Sequence, residues 1–334
     1  MSNEKAAVPC SNPGRHGQQN ETLARRAAVL VSSCDRFSDL WAPFFCLVRK
    51  FWPDCPFRLF LITNHLRLDN GRAQSLALGE DRGWGTNLLD ALDQIDADYI
   101  IYFQEDQYLL NPVDTARLLE DLALLAEGGV DTLSYRAIKP KGVETSKVRD
   151  GVFQWPLDSR GGVYCDPAIW RKSSLASIIQ RGETAWDFLE KGRDRAAERR
   201  LVRQEYHLSQ LPECPIHYVK RSAVRFGLWK PDGLAWLIRN RVPVLPLRRG
   251  LFFQSTKLYR LQRKPGASWW IRARFRGFGL LSIVTQMQQR LTDRIVARHL
   301  ARLGPGGVVP ANRIADEYEA RLGDSRPKTR RAIR

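Results

Sequence analysis

The sequence has no apolar run long enough to cross a membrane: its longest, such as Tyr99 to Phe103 and Gly279 to Val284, fall far short of the roughly 20 residues a spanning helix requires. Residues 1–24 also lack the apolar core of a secretory signal, and carry Pro9, Pro13, Gly14 and Gly17 among Ser, Asn and Gln. They read as a disordered tail. The six cysteines form no C-x-x-C pair and have no His at zinc-finger spacing, so they suggest neither a disulfide framework nor a structural zinc site and fit a reducing cytoplasm. Histidine is scarce, and His207 and His217 have no second ligand at helical spacing, so structural roles fit them better than metal binding. Cys34 follows a predicted strand, where a small buried thiol is the commoner case than a nucleophile. No internal repeat or low-complexity block appears.

What is present is 334 residues with 43% apolar content, enough for one large α/β domain and a smaller appendage. The net charge of +17 is unevenly spread: residues 231–334 hold 22 Lys and Arg against 6 Asp and Glu, and residues 1–230 hold 31 against 30. The basic character therefore belongs to the C-terminal third and not to the body.

The run Ala27 to Ser33 reads as a buried strand feeding a loop with Asp35, and Leu40 to Phe51 as a helix that Pro53 stops. A second strand, Phe57 to Thr63, ends at Asn64. This is the opening of a parallel sheet. A glycine-bearing loop, Asp81-Arg82-Gly83-Trp84-Gly85-Thr86-Asn87, precedes a helix over Leu88 to Ile95. A third β-prone run, Asp98 to Phe103, ends in Gln104-Glu105-Asp106-Gln107, followed by a helix over Pro112 to Ala126 and a further strand over Val130 to Tyr135. Ligands of open α/β sheets collect outside the carboxyl ends of strands, so Ser33, Asp35, Asn64, Glu105 and Asp106 point to one crevice.

Adjacent carboxylates at a strand end suit a hard divalent cation, whose remaining ligands can be phosphate oxygens and water. Because side chains alternate faces along a strand, both reach one ion only if the chain turns there, which makes Asp106 the more secure ligand and Glu105 the less secure one. The alternative is a strand that ends in solvated acids.

The order of Val29 to Asp35, Gly83 to Asn87, Tyr102 to Asp106, Pro167 to Trp170 and Trp186 to Phe188 resembles bacterial glycosyltransferases of the nucleotide-diphospho-sugar (GT-A) type, including those of polysaccharide assembly clusters. The resemblance covers roughly residues 27–235. It implies a Rossmann-like GT-A domain over residues 25–235 with a mostly parallel sheet, and a nucleotide-diphospho-sugar donor held with Mn or Mg. Ser33 and Asp35 would border the nucleoside, Asn64 would meet base or ribose, and Trp84 and Asn87 would face the nucleotide or donor sugar. The adjacent acids depart from the usual Asp-x-Asp form. An inverting reaction would take its base from Asp187, whose place matches the acceptor-side carboxylate; a helix-starting Asp beside core aromatics is the other reading. Glu183 and Glu190 are the substitutes. Trp170 and Trp186 offer faces for a sugar ring or core packing, and Arg225 to Lys230 resembles the end of the catalytic domain, with basic residues near the diphosphate; a solvated basic turn is the other reading.

Residues 236–334 read as a basic, mainly helical extension whose last ~10 residues are disordered. Basic residues among Trp269, Trp270, Phe275, Phe278, Leu280 and Leu281 suit an anionic membrane surface, which would place the protein on the inner face and fit a lipid-linked or other glycan acceptor. Packing of an apolar stripe on the catalytic domain is the other reading. No nucleic-acid recognition motif accompanies the charge. A nucleotide-sugar or polyanion binding protein without turnover, and a nucleic-acid-associated basic protein, are the competing functional classes.

Overall fold

A computed structural model describes residues 13–136, 144–149, 151–206, 214–219, 223–225, 227–244, 249–252, 276–311 and 313–314. The strands are β1 (Ala27–Ser32), β2 (Arg58–Thr63), β3 (Arg67–Asp69), β4 (Ala73–Ala77), β5 (Tyr99–Gln104), β6 (Thr132–Ser134), β7 (Ser146–Arg149), β8 (Val152–Gln154), β9 (Ala168–Arg171) and β10 (Arg203–Tyr206). A hairpin, β11 (Val224–Arg225) and β12 (Leu228–Trp229), and a late strand, β13 (Val308–Pro310), follow. The helices are α1 (Pro13–Arg25), α2 (Trp41–Phe51), α3 (Trp84–Gln94), α4 (Thr115–Glu127), α5 (Lys172–Ile178), α6 (Ala185–Asp187), α7 (Arg193–Glu198), α8 (Pro231–Arg239) and α9 (Arg276–Leu303).

Every residue of β1 is buried, as the apolar run Ala27 to Val31 requires of a strand covered on both faces. It pairs in parallel with β2 on one side and β5 on the other. The full sheet runs β4-β2-β1-β5-β9-β6-β10-β8-β7. Its first four strands are parallel, and β9 lies antiparallel between β5 and β6. The chain leaves β1 toward β2 and later returns to β5 on the opposite flank, so the switch of direction falls between the carboxyl ends of β1 and β5. The Rossmann-like α/β architecture implied by the sequence is thus present.

Strand alternation divides the core in two. Val29, Val31, Leu61, Ile101 and Phe103 face Trp41, Phe44 and Leu47 of α2 and Leu118 and Leu122 of α4. Ala28, Leu30, Phe60, Ile100 and Tyr102 face Leu88 and Leu92 of α3 and Leu175 and Ile178 of α5. Trp170, on β9, is fully buried in the second layer, so it packs the core and offers no face to a sugar.

Two boundaries differ from the sequence reading. Residues from Pro13 are helical rather than a disordered tail, and Leu23 and Ala24 are buried in the first core layer. Helix α3 begins at Trp84, inside the expected glycine loop. Gly85 explains why the turn is tight: a Cβ there would stand 2.3 Å from the Gln180 carbonyl oxygen and 2.9 Å from Cγ of Glu183. Gly85→Ala is expected to push α3 off that turn and destabilise the protein by about 1–3 kcal/mol, measurable as a lowered urea midpoint.

The described part of the basic extension packs on the domain. β13 pairs in parallel with β3, with Val308 opposite Arg67. On α9, Val296 is buried, and Thr292 Oγ1 accepts a hydrogen bond from Gly250 N at 3.0 Å. No helix among the described residues is long and apolar enough to cross a membrane. Trp269, Trp270 and Phe275 of the membrane reading lie outside the described residues, as does His207.

Candidate functional site

A cleft of about 320 Å³ opens at the switch point. The end of β1 contributes Ser32, Ser33 and Cys34, and the end of β5 contributes Gln104, Glu105 and Asp106. The start of α3 adds Gly83, Trp84 and Asn87, and Trp186 stands at the mouth. Five of the residues singled out from sequence, Ser33, Trp84, Asn87, Glu105 and Asp106, therefore line one cavity. Trp84 is fixed by its Nε1 donating to the Tyr102 hydroxyl at 3.2 Å and by its contact with Phe188, ring centroids 4.9 Å apart. Ser33 Oγ accepts from Trp41 Nε1 at 2.8 Å.

Asp35 and Asn64 have a different position. The Asp35 carboxylate accepts from the backbone N–H of Asn64, His65 and Leu66 at 2.8, 2.8 and 3.1 Å, and Asn64 Oδ1 accepts from Asp35 N at 3.0 Å. This reciprocal clasp joins the ends of β1 and β2, satisfying amides that would otherwise be orphaned. Both residues border an adjoining hollow of about 490 Å³, lined also by Leu300, Gly304 and Pro305. Asn64 Nδ2 is buried there and has no hydrogen-bond partner among the described residues. Asp35→Ala leaves three amides unpaired and is expected to cost about 2–3 kcal/mol in a denaturant titration, with the hollow distorted as a result.

Asp81 was not singled out from sequence, yet it borders both cavities. Its Oδ1 accepts from Gly83 N at 3.1 Å and from Asn87 Nδ2 at 2.7 Å, so Asn87 is the residue that orients it. The Asp-x-Gly spacing is a turn signal that could have marked it.

The acidic pair is buried although it lines the cleft. Burial pushes the Glu105 carboxyl well above the usual carboxylate range, and the like charge of Asp106 adds to this, while Arg249 opposes it. Two carboxylates held together in a poorly solvated place fit a divalent cation that would let both ionise. Among the described residues no group of three or more His, Cys, Asp or Glu is arranged to hold a metal. The fit is therefore to an ion that takes one or two carboxylates and completes its shell from phosphate and water. Cys34 lies beside the pair, and burial, then Glu105, pushes its thiol up to about 12, which disfavours the thiolate at neutral pH.

Arg249 was absent from the sequence reading and comes from the basic third. Its Nε donates to Asp39 Oδ2 at 2.8 Å and its Nη2 to Asp39 Oδ1 at 2.5 Å, with both side chains nearly inaccessible. Nη1 and Nη2 also donate to the carbonyls of Gly227 and Arg36 at 3.1 and 2.9 Å. A basic extension read from charge alone gives no hint that one arginine is internal.

Two of the three acceptor-side acids, Asp187 and Glu183, are held by side-chain hydrogen bonds. Asp187 closes a capping box: its Oδ2 accepts from Thr184 Oγ1 at 2.6 Å and Thr184 N at 3.1 Å, and Asp187 N donates back to Thr184 Oγ1 at 3.1 Å. The Thr184 hydroxyl, and then its N–H, hold the Asp187 carboxyl below its ordinary value. Glu183 is buried, and its Oε1 and Oε2 both accept from Arg195 Nη2, at 2.9 and 2.7 Å. Glu190 is exposed on the π-helical turn Phe188–Gly192. Arg225 lies over the Trp186 ring, 4.9 Å from its centroid.

No protein-family model matches the chain, and no curated protein matches it. Solved structures to which it is similar include residues 1–349 of S. aureus TarS in complex with UDP-GlcNAc, at 14% identity over 60% of this chain and 60% of that one, with a TM-score of 0.37. Mannosyl-3-phosphoglycerate synthase from Rubrobacter xylanophilus is similar at 9% identity over 55% of this chain and 68% of that one, TM-score 0.31. CMP:2-keto-3-deoxy-manno-octonic acid synthetase complexed with CTP is similar at 10% identity over 65% and 98%, TM-score 0.36. The chain spans 37% of the longer TarS chain and 64% of its 1–349 segment. Similarity of this degree gives no residue a role, and function has to be read from the cleft itself.

Proposed function

We propose that the protein is a glycosyltransferase that moves a sugar from a nucleotide-diphospho-sugar to an acceptor hydroxyl. One observation carries the reading: Ser33, Trp84, Asn87 and the buried Glu105–Asp106 pair meet around one cavity at the switch point of a mostly parallel sheet. The nucleoside takes the hollow beside Asp35 and Asn64. The diphosphate lies toward Asp106, and the sugar lies between Trp84 and Trp186.

In the reaction the acceptor oxygen bonds to the anomeric carbon, the bond from that carbon to the phosphate oxygen breaks, and the nucleoside diphosphate leaves with the electron pair. Asp106, with Glu105, would hold Mn or Mg, and the ion would supply charge stabilisation to the leaving diphosphate. Trp84 is pinned by Tyr102 and Phe188, which orients the donor with little ordering cost. The acceptor is a glycan or a lipid-linked sugar, approaching past Trp186, and an anionic membrane surface is the partner proposed for the basic third.

The acceptor proton must pass to a carboxylate. Asp187 is the candidate named by its place in the sequence, but a capped carboxylate with a lowered pKa is a weak base. Asp187→Asn is therefore expected to lower turnover by less than about ten-fold, the scale of a perturbed position rather than a lost base. A loss beyond about a hundred-fold at unchanged melting temperature returns the base role to Asp187. Release of nucleoside diphosphate from a panel of nucleotide-sugars in Mn or Mg, followed with and without simple glycan acceptors, tests the transferase reading. Binding without any release under all these conditions would leave a non-catalytic binding protein.

A further inference from the structure

Beyond the cleft, polar side chains gather around Tyr164. The Arg136 guanidinium lies 3.9 Å from the ring centroid and that of Arg193 5.2 Å. Arg136 pairs with Asp166 at 3.2 Å, and Arg160 with Asp194 at 2.6 Å. Glu205 accepts from Trp155 Nε1 at 2.8 Å. Arg193 differs from these. Its Nε donates to the Val163 carbonyl at 3.2 Å, and its terminal nitrogens have no partner among the described residues. Burial lowers its pKa, Tyr164 opposes that, and the nearby charges of Arg136 and Arg160 lower it further. Asp166 and Asp194 pair with Arg136 and Arg160, which leaves the half-buried Arg193 as the arginine of the cluster without a carboxylate partner among the described residues; a desolvated guanidinium is costly to hold without a partner.

The cluster sits on the same edge of the sheet as the cleft. Tyr102 on β5 lies opposite Ala168 on β9, which lies opposite Ser134 on β6. The end of β5, the start of β9 and the end of β6 are therefore neighbours. Gln107 Nε2 donates to the Cys165 carbonyl at 2.6 Å, tying the acidic segment to the chain that carries Tyr164. Arg136, just past β6, stands about two strand spacings, roughly 10 Å, from the acidic pair, on the side away from β1 and β2. The π-helical turn Phe188–Gly192 delivers Arg193 to this place. It closes tightly only because residue 192 is glycine, where a Cβ would stand 2.7 Å from the Phe188 ring.

We propose that Arg136 and Arg193, gathered at Tyr164, form a subsite for an anionic group carried by the acceptor, a phosphate or a carboxylate. Arginine's planar fork suits either. The assignment to an acceptor rests on the transferase reading; the anion site itself does not.

The test is titration of the full chain at low salt with glycerol 3-phosphate and, separately, with glucuronate, alongside thermal shifts with nucleotide-sugars. Saturable binding that weakens with salt is expected for one or both anions, and which one binds identifies the group. Arg193→Met is expected to weaken it about ten-fold or more. Arg193→Lys keeps the charge and serves if the Met variant fails to fold; replacing the fork with a point charge is expected to weaken binding by roughly several-fold. Both variants should keep the wild-type response to nucleotide-sugar. No saturable binding of either anion to wild type, or unchanged affinity in the Arg193 variants, overturns the subsite and leaves the donor reading intact. Arg193-dependent anion binding without any nucleotide-sugar response upholds the anion site and removes the transferase reading.

Discussion

Replacing Arg249 with Met is expected to destabilise the protein by about 3–5 kcal/mol, enough to leave much of it unfolded at physiological temperature. The cause is Asp39 rather than the arginine: its carboxylate is almost inaccessible and depends on both arms of the guanidinium. Removing one partner strands a buried charge, which costs far more than the intact pair contributes. Asp39→Asn with Arg249→Met is therefore expected to recover part of the loss, and a double-mutant cycle in urea measures the coupling. The same geometry argues against a detachable extension. A chain ending at residue 235 lacks Arg249, the ion pair of Arg36 with Asp293 on α9 and the β13–β3 pairing, and is expected to be insoluble or unfolded.

The acidic pair should separate stability from function. Burial and the charge of Asp106 raise the folded-state pKa of Glu105 above its unfolded value, so the folded state binds the proton more tightly. A raised carboxylate pKa costs stability as pH rises from the unfolded pKa through the folded one, and the cost persists above it. Glu105→Gln removes that cost. It is expected to raise the melting temperature of the ligand-free protein at neutral pH and to make little difference in acid. Turnover should move the other way. Asp106→Asn, the substitution at the better-placed ligand, is expected to reduce donor turnover by about 10²–10³, the scale seen when one preorganised electrostatic group is lost, and Glu105→Gln by less. A variant that gains stability while losing activity marks a site where the fold bears strain for its chemistry.

Much of this site was legible in the sequence because β1, β2 and β5 are continuous apolar runs, and a strand end in a parallel sheet is already a statement about where a ligand lies. Ser33, Glu105 and Asp106 followed from that rule, and Trp84 and Asn87 from the family resemblance. Other features left no such mark. Arg203-Gln204-Glu205-Tyr206 is a fully buried strand of polar and aromatic residues, and its arginine depends on distant partners, the carbonyls of Pro156, Leu157 and Ser159. Trp170 and Trp186 look alike as letters, and only β9 pairing separates the core residue from the exposed one. Asp35 sits where a nucleoside contact was expected, but its carboxylate is committed to three backbone amides of the neighbouring strand end. Arg249 and Asp39 are 210 positions apart, a distance over which local pattern carries no information.

The central claim is that the cleft between β1 and β5 holds a nucleotide-diphospho-sugar against Glu105 and Asp106. Thermal shift of the full chain with a panel of nucleotide-sugars, each with and without Mn, tests it most directly for wild type and Asp106→Asn, because a ligand that binds only the folded state raises its melting temperature. The expected result is a shift for at least one nucleotide-sugar that Mn enlarges and Asp106→Asn abolishes; no shift with any of them, or a shift that Asp106→Asn leaves intact, would contradict the claim.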